Sequence, residues 1–275
     1  MKRIIALLLA ILMIGVIFAG CGASETKSSD STEAATPDSA DGSDLAYVLA
    51  NGKLVVGITE FAPMDYKDEN GEWIGFDADM AKAFGKELGV EIEFVEIDWD
   101  NKVLELDGKT VDCIWNGMTL TDEVKSAMST SDPYLNNAQV VVVKSDAAAQ
   151  YADAESCKTL NFAVESGSAG QEQAEAYGFT FTEVKDQATA LMEVASGTCD
   201  AAIIDSLMAG AMIGEGTSYA DLTYTVALNS EEYGVGFRTG SDLTEKFNAF
   251  LTAAKADGTV DTIAETYGVQ AALIK

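Results

Sequence analysis

Apolar positions in the body of the chain follow two patterns in turn, one typical of strands and one typical of helices. A short run over residues 53–58, apolar after Lys53, predicts a strand. An apolar face at helical spacing then predicts a helix that is capped by Asp77 and ends at Gly89. Period-two alternation follows over residues 91–97 and predicts a second strand. The pattern continues with strands predicted over residues 111–115, 139–143, 160–164, 179–184, 201–204, 222–228 and 233–238, and helices over 100–106, 166–178, 186–196, 242–256 and 260–267. Strands that alternate with helices predict an α/β fold with largely parallel sheets.

Two halves of the chain repeat this pattern with similar residues. The segments LELDGKTVDCIWNGM and MEVASGTCDAAIIDSLM each contain a helix end, a glycine, an aspartate and an apolar strand. We interpret the repetition as two similar α/β lobes rather than a repeat array. Ligands of open α/β sheets bind outside the carboxyl ends of the strands. Two facing lobes therefore predict a ligand cleft between them.

The start of the chain has the features of a targeting signal. Lys2 and Arg3 precede an apolar run over residues 4–19, which predicts a signal peptide over residues 1–20. The sequence FAGC, which ends at Cys21, resembles a bacterial lipobox, in which the cysteine is acylated. The alternative is an ordinary signal peptide that ends near a cysteine. Together with Cys21, the Ser-, Thr-, Ala- and Asp-rich residues up to 44 predict a lipidated, flexible tether, which would anchor the protein to the outer side of the cell membrane.

The composition excludes some classes of function. Lys and Arg number 17 against 45 Asp and Glu, a formal net charge of -28 over 275 residues. Such a surface repels phosphates, so we expect no nucleic-acid partner. The chain has no histidine, which removes the most common neutral-pH base and the most common zinc ligand. We therefore expect a protein that is not an enzyme and has no metal or other cofactor.

Several segments resemble one family in order and spacing. They are GITEFAPMDYKDENGEWIGFDADMAKAFGKEL, VDCIWNGMTLTDE, SDPYLNNAQVVVVK, VESGSAG, CDAAIIDSLMA and EEYGVGFRTGSDL. These segments resemble the bacterial extracellular solute-binding proteins of family 3, the polar amino-acid receptors of ABC importers. The resemblance implies a periplasmic-binding-protein type II fold, a monomer, and an ABC permease as the membrane partner. It also implies that the solute, an amino acid or a related amine, is captured by lobe closure.

The resemblance also implies domain limits. Lobe one would comprise residues 45–142 and 232–275, and lobe two residues 143–231. The chain would cross between the lobes near residues 140–146 and 226–234.

Two aromatic residues are candidates for the cleft. By the resemblance, Phe61 covers the side chain of the ligand, and an aromatic face suits apolar stems and cations. The alternative is a core phenylalanine under a turn. Trp115 either lines the cleft or packs inside the lobe.

Polar residues follow the strand that ends near Trp115. Asn116, Gly117 and Thr119 offer carbonyls, amides and a hydroxyl to a polar head group. Thr121 is a candidate N-cap for the next helix as well as a ligand contact.

Two residues of the second lobe complete the predicted site. Asp205 ends a buried strand, where a carboxylate needs a partner. By the resemblance it accepts the α-ammonium of the ligand, and the alternative is a helix N-cap. Ser168 opens a helix whose first amides can attract an anion, and here the alternative is simple capping.

One position departs from the family pattern. The resemblance implies an Arg that grips the ligand carboxylate, but Val124 occupies that position and Lys125 follows it. Ala169 also stands where a hydroxyl residue is common. Either amides and hydroxyls hold the carboxylate, or the ligand is an amine without an α-carboxylate.

The cysteines and two rival functions complete the analysis. Cys157 and Cys199 each precede a strand of the second lobe, so a disulfide between them is one prediction for an extracellular protein. Cys113 is expected to be a buried free thiol. One rival is a secreted dehydratase-like enzyme on the same scaffold, with Glu60 or Glu165 as acid or base. The other is a sensory protein that presents its ligand to a membrane receptor.

Overall fold

A computed structural model of the chain describes residues 42–275. The predicted signal peptide, the predicted lipidation site at Cys21 and nearly all of the predicted tether lie outside the described residues. In this part of the chain no helix combines the length and the apolar character that a membrane span requires.

Strands and helices alternate through the described residues. The strands are β1 Lys53–Ile58, β2 Tyr66–Lys67, β3 Trp73–Ile74, β4 Glu91–Glu96, β5 Cys113–Thr119, β6 Ser129–Thr130, β7 Leu135–Asn137, β8 Gln139–Lys144, β9 Asn161–Glu165, β10 Thr180–Val184, β11 Ala201–Asp205, β12 Leu222–Ala227 and β13 Glu231–Phe237. The α-helices are α1 Asp44–Asn51, α2 Phe76–Leu88, α3 Lys102–Asp107, α4 Asp122–Ala127, α5 Ala169–Tyr177, α6 Gln187–Ser196, α7 Ser206–Met212, α8 Leu243–Ala256 and α9 Thr259–Tyr267. Short 3-10 helices occupy Trp99–Asn101, Ala148–Gln150, Ser156–Thr159 and Gln270–Ala272.

Most of the strands form two separate mixed sheets, one in each lobe, whereas β2 and β3 pair only with each other. The first has the order β4-β1-β5-β13-β6, with β7 also paired to β13, and β1 runs parallel to both β4 and β5. The second has the order β10-β9-β11-β8-β12, in which β9 runs parallel to both β10 and β11. The predicted architecture of two α/β lobes is therefore present. Two antiparallel strands, β8 and β13, directly follow the points at which the chain passes from one lobe to the other.

The chain changes sheet at two places. It passes from the first sheet to the second between β7 and β8, and it returns between β12 and β13. Residues 139–142, which the sequence analysis assigned to lobe one, belong to β8 and pair with β11 of the second sheet. The four consecutive valines of β8 are all buried and would suit either sheet, so the residue pattern alone does not reveal the partner strand. The remaining domain limits stay a prediction.

The second sheet separates the two cysteines that were predicted to pair. Cys157 belongs to an apolar cluster on the face of Phe162, whereas Cys199 belongs to the cluster on the opposite face with Ala163. Both are free and buried, so the disulfide prediction is wrong. Cys113 is a buried free thiol, as predicted.

The start of α2 differs from the prediction in a way that matters for the site. Gly75, not Asp77, is the N-cap residue, with φ 127°. A Cβ there would lie 2.0 Å from the carbonyl oxygen of Met64, so only glycine fits. The carbonyls of Pro63 and Met64 accept hydrogen bonds from the first amides of the helix, at 2.9 Å from Phe76 N and 3.0 Å from Asp77 N. The carboxylate of Asp77 is thereby left to reach another part of the lobe.

Candidate ligand-binding site

A cavity of about 240 Å³ lies between the two lobes, at the carboxyl ends of strands from both sheets. Its wall contains seven of the eight predicted ligand contacts: Phe61, Asn116, Gly117, Thr119, Thr121, Ser168 and Asp205. A cavity of this size suits a small molecule rather than a peptide or a polymer. Among the described residues no cluster of metal-ligating side chains is present.

Trp115 is the predicted contact that the structure places elsewhere. Its indole is 1% exposed and lies edge-on to the ring of Phe247 at 4.9 Å between centroids. Because β5 alternates its side chains, Trp115 faces α8 inside the lobe and does not line the cavity. The prediction left both orientations open, and packing is the one observed.

Phe61 and Gly117 form one wall of the cavity together. A Cβ on Gly117 would lie 2.5 Å from Cε1 of Phe61, and the φ of Gly117 is +54°. The ring also meets Tyr233 edge-on, with centroids 6.4 Å apart. The absence of a side chain at position 117 therefore lets the aromatic ring lie against the end of β5, where it faces the cavity.

The amide of Asn116 is fully engaged inside its own lobe. Its Oδ1 accepts hydrogen bonds from the backbone N and the hydroxyl of Thr59, at 3.0 and 2.7 Å. Its Nδ2 donates to the Thr59 carbonyl and to Oδ2 of Asp65, at 3.0 and 2.8 Å. An amide group offers about four hydrogen-bonding positions. The side chain therefore positions the end of β5, and its backbone is the part left to face a solute.

Thr121 and Ser168 both cap helices, a role that the sequence suggested for each of them. The Thr121 hydroxyl accepts from Val124 N at 3.2 Å, and the Ser168 hydroxyl accepts from Gln171 N at 3.2 Å. Each hydroxyl keeps its proton, so each can still donate to an acceptor in the cavity. The third hydroxyl, on Thr119, donates to Glu231 at 2.9 Å.

Two buried carboxylates behind the cavity wall were not predicted. Asp77 accepts a hydrogen bond from Gly117 N at 2.6 Å and another from the Tyr134 hydroxyl at 2.8 Å. Burial raises the pKa of Asp77 to about 6, and these two hydrogen bonds oppose the rise. Burial, with Asp77 nearby, raises the pKa of Asp65 well above its ordinary value. The acidic residues in DY and GFD were visible in the sequence, but their burial was not.

Asp205 lies where the two lobes meet. Its Oδ1 accepts hydrogen bonds from Asn137 Nδ2, from Gln139 Nε2 at 3.0 Å and from the Tyr233 hydroxyl at 2.7 Å. Its Oδ2 accepts from Gln187 Nε2 alone among the described residues. Asp205 occupies the N-cap position of α7, but its carboxylate makes no capping hydrogen bond. The geometry therefore leaves acceptor capacity on Oδ2, the oxygen that can receive a cation.

A second carboxylate couples Asp205 to the segments that cross between the lobes. Glu231 Oε1 accepts from the same two amides, Asn137 Nδ2 at 2.6 Å and Gln139 Nε2 at 2.8 Å. Burial, followed by the charge of Glu231, raises the pKa of Asp205 to about 7. Such a shift is typical of a carboxylate at a functional site.

Glu165 is a cavity residue whose buried carboxylate lacks a hydrogen-bond partner for one oxygen among the described residues. It ends β9, its side chain is 3% exposed, and its Oε1 has no hydrogen-bond partner among the described residues. Burial, followed by the charges of Asp205 and Asp186, raises the pKa of Glu165 to about 8. From the sequence it was only a candidate acid or base of the rival enzyme. Its position at the end of a buried strand, like that of Asp205, was the signal that could have identified it as a ligand contact.

The cavity is acidic as a whole. Its single basic side chain among the described residues is Lys102, and its acidic ones are Asp100, Glu123, Glu165, Glu172, Glu175 and Asp205. Lys102 Nζ donates to the carbonyl of Gly167 at 2.8 Å, across the cleft from lobe one to lobe two. A site of this charge favours a cation over an anion.

Comparisons with known proteins agree with this geometry. The sequence profile described as "Bacterial extracellular solute-binding proteins, family 3" matches residues 54–270. The arginine-binding extracellular protein ArtP of Bacillus subtilis is 31% identical over 218 residues, which are 77% of this chain and 84% of that protein.

Solved structures show the same arrangement. A mutant of ArgBP from T. maritima superposes with a TM-score of 0.76 at 32% identity, covering 82% of this chain and 98% of that one. The ancestral amino acid-binding protein AncCDT-1, a precursor of cyclohexadienyl dehydratase, has a TM-score of 0.75 at 33% identity, covering 82% of this chain and 99% of that one.

Proposed function

Since the chain belongs to the bacterial extracellular solute-binding proteins of family 3, we propose that it captures a small amine-bearing solute and delivers it to the permease of an ABC importer. Its two α/β lobes form the type II periplasmic-binding-protein fold. The observation that carries the proposal is the acceptor oxygen of Asp205 at a cavity whose walls come from both lobes. The arginine-binding relative supports an amine as the recognised group.

Capture would proceed by closure of the two lobes on the solute. In an open cleft Asp205 and the Phe61 wall are hydrated and apart. A solute that contacts both lobes adds interactions that exist only in the closed form, and it shifts the population toward that form. The closed form would then dock on the permease, and a separate ATPase would drive transport.

The proposed location follows from the start of the sequence. A signal peptide over residues 1–20 and acylation of Cys21 would place the protein outside the cytoplasm, attached to the membrane by a lipid. The tether up to residue 44 would let a monomeric body reach its permease. Labelling with a radioactive fatty acid tests the anchor, because Cys21→Ser must abolish incorporation if the lipobox interpretation is right.

A binding protein accounts for the site better than an enzyme does. Of the two residues named as acid or base, Glu60 is exposed and does not line the cavity. Glu165 does line it, but with no histidine in the chain the site lacks the usual second proton carrier. Incubation of the protein with its ligand should return the ligand unchanged, and any turnover would favour the dehydratase-like alternative.

Calorimetric titration of a panel of amino acids and amines tests the proposal. At least one amine-bearing solute should bind, and Asp205→Asn should weaken it by about 100-fold or more, because loss of a buried charged partner costs about 3 kcal/mol. Asp107→Asn is the matched control, since Asp107 is exposed at the end of α3, away from the cavity. Equal binding by wild type and Asp205→Asn would contradict the proposal.

A further inference from the structure

The position that should hold a solute carboxylate is apolar in this chain. Val124 is 6% exposed and packs in a cluster with Met118 and Met128. The nearby amide of Gly117 donates to Asp77 at 2.6 Å, so it is engaged by a carboxylate of the protein itself. Neither position on this side of the cavity therefore offers a donor to an anionic solute.

The start of α5 keeps the Ser168 hydroxyl as a donor, but it also places an acid beside an anion. Gly167 N donates to the side chain of Gln171 at 2.8 Å, and Gln171 N donates to the hydroxyl of Ser168. Ala169 supplies no hydroxyl. Glu172 lies in the first turn, where its negative charge already interacts with the positive end of the helix dipole. A carboxylate of a solute would therefore meet a competing negative charge here.

The ammonium of Lys102 is committed to the contact between the lobes. It donates to Gly167 O at 2.8 Å and to Trp99 O at 3.4 Å. It also lies over the Trp99 ring, 5.3 Å from its centroid. With six acidic side chains in the same cavity wall, this one cation leaves the wall net negative.

The buried carboxylates of the cavity, by contrast, favour a cation. Glu165 has a buried oxygen without a partner among the described residues, and Asp205 has free acceptor capacity on Oδ2. Gln187 donates to Asp205 and also neighbours the carboxyl group of Glu165, so the two acids lie around one point of the cavity. A buried polar atom without a partner is costly, and a bound cation would remove that cost.

These observations extend the proposed function to a narrower class of solute. We infer that positive charge is the only charge of the solute that the site recognises, and that the solute is an organic amine or guanidine without a carboxylate beside the amine. The cation lies between Glu165 and Asp205, and the apolar stem lies against Phe61 and Val124. The inference rests on the proposed function, because it assigns the same cavity to the solute.

Matched pairs of compounds that differ only in the carboxylate test this inference. The pairs are agmatine with L-arginine, putrescine with L-ornithine, and cadaverine with L-lysine, each titrated calorimetrically into the full-length protein. In at least one pair the amine should bind about 10-fold or more tightly than its amino acid, because a desolvated like charge costs at least 1.4 kcal/mol. In no pair should the amino acid bind more tightly.

Two cavity variants and one control locate the effect in the cavity. Glu165→Gln should weaken the preferred amine by about 10-fold, whereas Glu265→Gln, on the exposed face of α9, should leave its affinity unchanged. Val124→Arg should shift the preference toward the amino acid of the same pair. Unchanged amine affinity in Glu165→Gln would overturn the inference. The melting temperature of each variant, measured in parallel, separates loss of binding from loss of folding.

The remaining outcomes separate the inference from the proposed function. If an amino acid binds as tightly as its amine or more tightly, the inference is wrong and the proposed function stands. If none of the six compounds binds but another amino acid does, the inference is again wrong alone. If neither these compounds nor the twenty amino acids bind, both the inference and the proposed amine-binding function are wrong.

Discussion

Lys102 of lobe one donates a hydrogen bond from Nζ to the carbonyl of Gly167 in lobe two, at 2.8 Å. Gly167 has φ +70°, and a Cβ on it would lie 2.7 Å from Cα of Asp100. The two lobes therefore approach closely at this point, beside the cavity. Burial lowers the pKa of Lys102, and the surrounding acids oppose that decrease. The contact joins the lobes at the edge of the cleft, so it would be lost if the lobes separated.

Lys102→Met should favour the open form. A hydrogen bond to a charged group contributes about 1.5–3 kcal/mol, so the variant should bind its ligand about 10-fold more weakly. Small-angle scattering should report a larger radius of gyration for the variant than for the wild type without ligand. Lys86→Met, on the exposed side of α2, is the control and should change neither quantity. Unchanged affinity and radius would show that this hydrogen bond does not hold the lobes together.

Gly117→Ala should damage the site and the fold together. The new Cβ would lie 2.5 Å from the Phe61 ring, and alanine would have to adopt φ +54°. We expect a loss of about 2–3 kcal/mol in the free energy of unfolding, together with weaker ligand binding. Denaturant unfolding and calorimetry measure the two effects.

A second glycine gives the control for this substitution. Gly210 lies within α7, and no atom would lie within 4 Å of a Cβ there. Gly210→Ala should stabilise the protein by about 0.5–1 kcal/mol, because alanine is the better helix former. If both variants lose stability equally, the left-handed backbone and the Phe61 contact are not the cause at Gly117.

The sequence predicted most of the architecture because apolar spacing reports it directly. Runs of buried residues identified β5 and β11, and Gly117 and Asp205, near the carboxyl ends of these strands, line one cavity. Short elements such as β6 and β7 escaped prediction, since two or three residues carry no period. The partner of β8 also escaped prediction, because a strand buried on both faces looks alike in either sheet.

What the sequence did not reveal depends on contacts between distant segments. For Asn116 the sequence indicated a residue of the cavity wall, but it did not reveal that Thr59 and Asp65 occupy its side-chain amide. Asp77 was a reasonable helix cap until the turn at Met64 was seen to satisfy those amides. In both cases a distant residue satisfies the group that local pattern had assigned to another role.

The free cysteines allow a chemical test of the corrected disulfide prediction. In a Cys21→Ser variant, denatured without reductant, thiol titration should detect the three remaining cysteines, Cys113, Cys157 and Cys199, as free. A reducing agent should leave the melting temperature unchanged, because no cross-link among the described residues would be broken. Detection of a single thiol would mean that Cys157 and Cys199 pair after all, which requires the second sheet to rearrange.

The pH dependence of stability should reveal the buried carboxyl group of Glu165. Its pKa is raised from the ordinary value of 4.5 to about 8 in the folded protein, so the folded form holds this proton more tightly than the unfolded form does. The protonated carboxyl group of Glu165 therefore contributes its full stabilisation below about pH 4.5, and this stabilisation is lost as the pH rises through 8. Asp205, Asp186 and Lys102 are the charged groups that act on it, and they remain in place in Glu165→Gln.

The difference between wild type and Glu165→Gln isolates this group from the others that titrate. The free energy of unfolding of the wild type should fall more steeply from pH 5 to pH 9 than that of the variant, as measured by denaturant titration at each pH. A saturating amine ligand should reduce the difference, because a cation beside Glu165 lowers its pKa and lets it ionise at lower cost. Parallel curves for the two proteins would show that Glu165 ionises as readily in the folded chain as in the unfolded one.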